Sequence, residues 1–203
     1  MALQGSGQIK LSEIQTEFGG SAPTAISEYY DAASGVPSSG EIQLAADFYG
    51  TSNAIYMAAT GGTVTTSGNF KYHRFTSSGT FAVSTQGNAA GSATVDYLVV
   101  AGGGGGGGRH GGGAGAGGLS DHASKSTGTG NYSIAIGGAG GGSGGGAGGA
   151  GSNSTFHGTT SNGGGGGKSY TNAGSPTGGS GGGGGGGANT GGGPGNQGNT
   201  GGA

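Results

Sequence analysis

The side chains best suited to moving a proton near neutral pH are four histidines, His73, His110, His122 and His157. They are scattered without metal-ligand spacing, and the chain has no cysteine to complete a zinc site. Asp96 and Asp121 are the sole carboxylates beyond residue 60, and they do not form the paired arrangement that glycoside hydrolysis needs. Serine and threonine abound without forming a nucleophile elbow. Gly-x-Gly-x-x-Gly recurs through sheer glycine content, but no helical pattern follows Gly102, as a dinucleotide site would require. The chain therefore reads as non-enzymatic, with neither cofactor nor resident metal.

Chemistry of contact is better represented. In the second half, the functional side chains gather in four polar inserts: Arg109-His110, Asp121 to Lys125, Phe156-His157 and Lys168 to Tyr170. Arg109, His110, His122, Lys125, Phe156, His157, Lys168 and Tyr170 suit hydrogen bonding and stacking on a surface glycan, or meeting loops of an outer-membrane protein. The plainer alternative is that these inserts are solvated turns.

The elements that would hold these residues fall into two compositional regimes. Of 62 glycines, 49 lie after residue 100, and the whole chain is only 7% charged. Residues 1–60 carry a net charge of −5 and the remainder +3, with no charge run of the kind nucleic acid attracts. No apolar run is long enough to span a bilayer, which argues against membrane insertion.

Within the first regime, Leu11, Ile14 and Phe18 share a helical face, with a capping-box pattern at Ser12 and Gln15 and a stop at Gly19-Gly20. A second short helix is expected from Ser27 through Tyr29 and Tyr30. The phrase Ile42 to Phe48-Tyr49 echoes the first. Helices this short are unstable alone, so their apolar faces must be buried within the chain or on a partner. We read Leu11, Ile14, Phe18, Tyr29, Tyr30, Phe48 and Tyr49 as candidate docking residues. Residues 54–100 read as β structure: Phe70 and Tyr72 on one face of a strand, then Thr80–Ser84, then Ala93–Val100. Tyr97-Leu-Val-Val100 is apolar throughout, which predicts a central strand covered on both faces.

That strand runs directly into Gly102–Gly108, and further glycine blocks follow at 163–167 and 181–187. A flexible tether is the compositional default, and collagen is excluded by the missing Gly-X-Y period and scarce proline. The third reading is a bundle of polyglycine-II helices, with three residues per turn and every N–H and C=O directed outward to neighbours. Ordering costs about 1–2 kcal/mol per residue and each hydrogen bond returns about 1, so nearly every backbone group must be paired. The strand-like Asn131–Ile136, feeding a second glycine stretch at Gly137, favours the lattice over the tether.

The succession Ser78-Gly-Thr-Phe81, Val95-Asp-Tyr-Leu-Val-Val-Ala-Gly-Gly-Gly-Gly, Gly130-Asn-Tyr-Ser-Ile-Ala-Ile-Gly-Gly-Ala-Gly140, and Gly151-Ser-Asn-Ser-Thr-Phe156 before Gly163–Gly167 resembles the glycine-rich domain of bacteriophage tail fibre and adhesin proteins. Phe18-Gly-Gly-Ser and Ser27-Glu-Tyr-Tyr resemble a short segment of phage structural proteins. The resemblance implies a virion tail protein, present in the host cytoplasm during assembly. Its implied partners are other tail or baseplate proteins and a bacterial surface glycan or outer-membrane protein, and it implies a homo-oligomer, as fibres commonly form trimers. The expected fold is mainly β with little regular helix. Residues 1–60 form a short-helix docking segment, 61–100 a small antiparallel β module, and 101–203 a polyglycine-II bundle with polar loops. A virion connector or decoration protein without receptor contact is the alternative, and a disordered tether the second.

Overall fold

The computed structural model describes residues 3–21, 25–39, 42–43, 47–48, 50–187 and 191–202. Among the described residues the fold is mainly β, with antiparallel sheets and little helix. Its contacts define two compact units: Met1–Ala58 with Thr85–Thr94, and Ala59–Ser84 with Val95–Ala203.

In the first unit, α1 spans Leu11–Phe18 and a 3-10 turn spans Ile26–Tyr29. The helix begins one residue before the expected cap. Lys10 is the N-cap, and its N–H donates to the Glu13 carboxylate at 2.8 Å. Ser12 is already inside the helix, where its carbonyl accepts from the Thr16 hydroxyl, so the Ser12–Gln15 capping box does not form. Gly19 stops the helix at φ 81, and its N–H donates to the Gln15 carbonyl. Ile14, Tyr29, Val36 and Phe48 form the buried core, with Leu11, Phe18 and Ile42 packed around it. The Phe48 ring meets Phe18 and Tyr29 edge-on, with centroids 5.9 and 6.3 Å apart, the geometry aromatic quadrupoles favour.

Among the described residues, the second unit holds three sheets. β1 (Ala58–Thr60), β4 (Gly79–Thr85), β7 (Gly130–Ala135), β8 (Ser154–Phe156) and β9 (Thr159–Ser161) form a five-stranded sheet in that order. β2 (Thr63–Ser67) pairs with β3 (Phe70–Arg74), and β5 (Thr94–Val100) with β6 (Leu119–Ser126). Phe81 lies opposite Tyr132, Ile134 opposite Phe156, and Ser154 opposite Ser161, so these side chains share one sheet face. Tyr97 and Val99 of β5 cover that face. Tyr97 meets the Phe156 ring, and the Val99 carbonyl accepts from the buried Ser161 hydroxyl at 2.9 Å. β5 is therefore covered on one face alone. Val99 is buried, but Leu98 and Val100 are 57% and 51% exposed, contrary to the expectation of a doubly covered strand. An apolar run records composition, whereas coverage depends on what lies opposite, and β5 belongs to a two-stranded sheet.

Beyond Ala101 the chain folds back and forth as extended runs paired by backbone hydrogen bonds. From the run 101–108, the N–H groups of Ala101, Gly104 and Gly107 donate to Gly118, Gly115 and Gly112. Those of Gly102, Gly105 and Gly108 donate to Ser152, Gly149 and Gly146, while the carbonyls of Gly103 and Gly106 accept from Gly140 and Ser143. Each neighbour is thus met at every third residue. The registers make 137–143 and 162–168 parallel to 101–108, and 111–118 and 146–152 antiparallel to it. At the centre, every N–H from Gly164 to Ser169 donates to a backbone carbonyl of another segment or turn, and Gly163–Gly167 are all buried. None of the glycines in 102–108, 111–118 or 163–167 has positive φ. Their missing Cβ serves close approach instead: a methyl on any of Gly163 to Gly167 would strike a neighbouring backbone. Ala114, Ala116, Ala139 and Ala150 occupy exposed positions.

Candidate functional site

The eight predicted contact residues divide between the two ends of the glycine runs. Because 101–108, 137–143 and 162–168 are parallel, the turns that follow them share one end. Arg109 and His110 form the first of these turns, both exposed and both at positive φ (50 and 58). In the second, the Ser143 hydroxyl accepts from the Gly146 N–H at 2.8 Å. The third begins at Lys168, whose backbone is held by Gly112 and Gly183, and leads through buried Ser169 to Tyr170, 49% exposed. The Tyr170 ring lies against Gly187, and the neighbouring Gly186 N–H donates to the His110 carbonyl. Arg109, His110, Lys168 and Tyr170 thus belong to one polar end.

His122, Lys125, Phe156 and His157 belong to the other end, about 20 Å away at a rise of ~3.1 Å per extended residue. There the chain folds into strands. His122 and Lys125 lie on β6 and Phe156 on β8, not in loops as expected. Little in Leu119–Ser126 favours a strand by composition; pairing with β5 imposes it. His157 and Gly158 link β8 to β9, both at positive φ (50 and 79), as a two-residue hairpin turn of type I′ requires.

This hairpin assembles a cluster of rings. His157 stacks on Tyr132 with centroids 4.9 Å apart and planes 14° apart. Tyr97 lies 5.0 Å from both His122 and Phe156, and Phe156 continues to Phe81 at 5.9 Å. The Thr159 hydroxyl bridges the Tyr97 hydroxyl at 2.8 Å and His122 Nε2 at 3.2 Å. Thr159 and His122 have the separation of a nucleophile and its base, but no third group orients the imidazole among the hydrogen bonds of the described residues. The arrangement suits packing and contact. Tyr97, Tyr132 and Thr159 were not among the predicted site residues. The signal was available, since a Gly one residue after Phe156-His157 marks a tight hairpin that turns Phe156 and Thr159 to the same face.

Five of the predicted docking residues, Leu11, Ile14, Phe18, Tyr29 and Phe48, serve the core of the first unit. Ile14, Tyr29 and Phe48 are fully buried, and Leu11, Phe18 and Tyr30 are half-buried; Tyr49 lies outside the described residues. Of the two fates open to these apolar faces, the fold realises burial within the chain. Burial also holds the Tyr29 phenol above its ordinary pKa of 10.0, with the Glu28 carboxylate adding to the shift.

Among the described residues, no group of three or more His, Cys, Asp or Glu is placed to hold a metal ion, and no helix is long and apolar enough to cross a membrane. No family model, curated protein or solved structure matches this chain.

Proposed function

We propose that the glycine-rich half is a polyglycine-II bundle and that the chain is a non-enzymatic component of a phage tail, a fibre or adhesin. The observation that carries this reading is the three-residue spacing of the hydrogen bonds along 101–108, with separate neighbours for each residue of the triplet. A β-strand directs its groups to alternate sides, whereas a threefold helix spreads them around its axis. Such a bundle gives stiffness without a hydrophobic core, and it presents its turns at a fixed height. In a tail fibre those turns are the part that reaches the bacterium.

Two further observations bear on roles. Arg109 and His110 hold αL backbone conformations that cost non-glycine residues about 1–2 kcal/mol each, in a chain where glycine is the commonest residue. Side chains kept there against strain point to contact. The acidic first unit, with its apolar residues spent on its own core, would attach to other tail or baseplate proteins through its charged surface. For the homo-oligomer, the exposed Leu98, Val100 and Leu119 of β5 and β6 offer a surface.

The test is to replace Arg109 and His110 by glycine. Relief of strain predicts folding as stable as the parent or more so, while phage carrying the variant adsorb at least tenfold more slowly. Unchanged adsorption with normal incorporation into particles would instead favour a connector whose turns do not touch the host.

A further inference from the structure

A second surface lies away from the turns, on the ribbon of β2 and β3. Register places Thr63 opposite Arg74, Thr65 opposite Tyr72 and Ser67 opposite Phe70, so all six side chains share one face. Every residue of that face is exposed, with Phe70 at 67% and Tyr72 at 54%. The two rings lie 6.4 Å apart. Arg74 then borders a cleft of about 260 Å³, with Phe75, Thr76, Ser77 and Thr80 also in its lining. The cleft is smaller than the ~300–1,000 Å³ of drug-sized pockets and suits one small polar unit. The face contains no aliphatic side chain. It offers ring faces, hydroxyls and a guanidinium.

Charge selects among occupants. Residues 48–95 contain Lys71, His73 and Arg74 and no Asp or Glu, and among the described residues no carboxylate pairs with Arg74. We propose that this face binds a carboxylate-bearing polysaccharide. Phe70 and Tyr72 would stack against the apolar faces of successive sugars, and Arg74 would pair with a carboxylate seated at the cleft. A planar guanidinium matches that anion in bidentate fashion, and threonine and serine hydroxyls satisfy sugar hydroxyls. The assignment needs the host-surface reading only for the source of the sugar; binding to purified oligosaccharide is measured without it.

The experiment titrates the full chain with an immobilised panel of galacturonate, glucuronate and sialate oligosaccharides, their carboxyl-reduced counterparts, and phosphate-bearing sugars. The proposal expects binding to at least one carboxylate member and a loss of tenfold or more on carboxyl reduction. Arg74→Gln, Phe70→Ala and Tyr72→Ala should each lose tenfold or more with unchanged circular dichroism, whereas Val64→Thr, on the opposite face of the ribbon, should bind as the parent does. Amide shifts of Tyr72, Arg74 and Ser77 on titrating the parent chain provide a readout free of any variant. No binding to any member, equal binding of the reduced sugars, binding of phosphate sugars alone, or full retention by Arg74→Gln would overturn it. Loss of binding on Arg109→Gly with retention by Arg74→Gln would move the sugar site to the turns and leave the host-surface reading intact.

Discussion

A single methyl group is the sharpest probe of the glycine half at the residue scale. The nearest atom to a Cβ built on Gly106 would be the Gly112 carbonyl oxygen, 4.0 Å away, and on Gly103 the Gly115 carbonyl at 3.8 Å. Between them, Gly104 and Gly105 have no such room, since a methyl there would overlap the carbonyls of Gly165 and Gly141. Gly165 is worse placed, facing the Pro176 carbonyl inside the most crowded run. Gly106→Ala should therefore fold within about 1 kcal/mol of the parent in urea denaturation, with any gain coming from a less flexible unfolded chain. Gly165→Ala should cost at least the ~1–3 kcal/mol of an overpacked core or abolish cooperative unfolding. A tether would treat the two alike, and so would a linker that merely collapses.

At the scale of elements, Tyr29 reports on the first unit. Its phenol is buried, donates to the Gly19 carbonyl at 3.0 Å and packs edge-on against Phe48. Because its folded pKa is raised, the folded state holds this proton more tightly than the unfolded one. That contribution is complete below about pH 10 and is lost as pH rises toward the folded value. Urea midpoints measured from pH 8 to 11 should fall above about pH 10. Tyr29→Phe should flatten that fall while losing about 1 kcal/mol at pH 8 with the hydrogen bond; an unchanged alkaline slope would show that another group carries it. The same unit illustrates what local spacing can reveal. The spacing of Leu11, Ile14 and Phe18 and the stop at Gly19 were legible because a short helix is written in local periodicity. Phe70 and Tyr72 were legible as one face for the same reason. The exposure of Leu98 and the strands built from Leu119–Ser126 and Thr159–Ser161 were not, because non-local pairing decides both. The ring cluster around Tyr97 depends on β5, β6, β7 and the β8–β9 hairpin meeting, and no spacing along the chain encodes that meeting.

For the whole molecule, the proposed bundle means order without a conventional core in the second half. Its large side chains are few and its stability must come from backbone pairing, which binds 101–108 to four neighbouring runs at once. Loss of any one run unpairs several others, so the lattice should form and melt as a unit. The most direct test is residue-resolved amide hydrogen exchange of the intact chain. The N–H groups of Gly103 and Gly106 have no acceptor among the described residues, whereas those of Gly102, Gly104, Gly105, Gly107 and Gly164 to Lys168 all do. The proposed lattice predicts slow exchange throughout 164–168 and a three-residue rhythm in 102–107, with Gly103 and Gly106 exchanging fast between protected neighbours. Uniformly fast exchange across 102–187, or protection alternating every second residue, would contradict it.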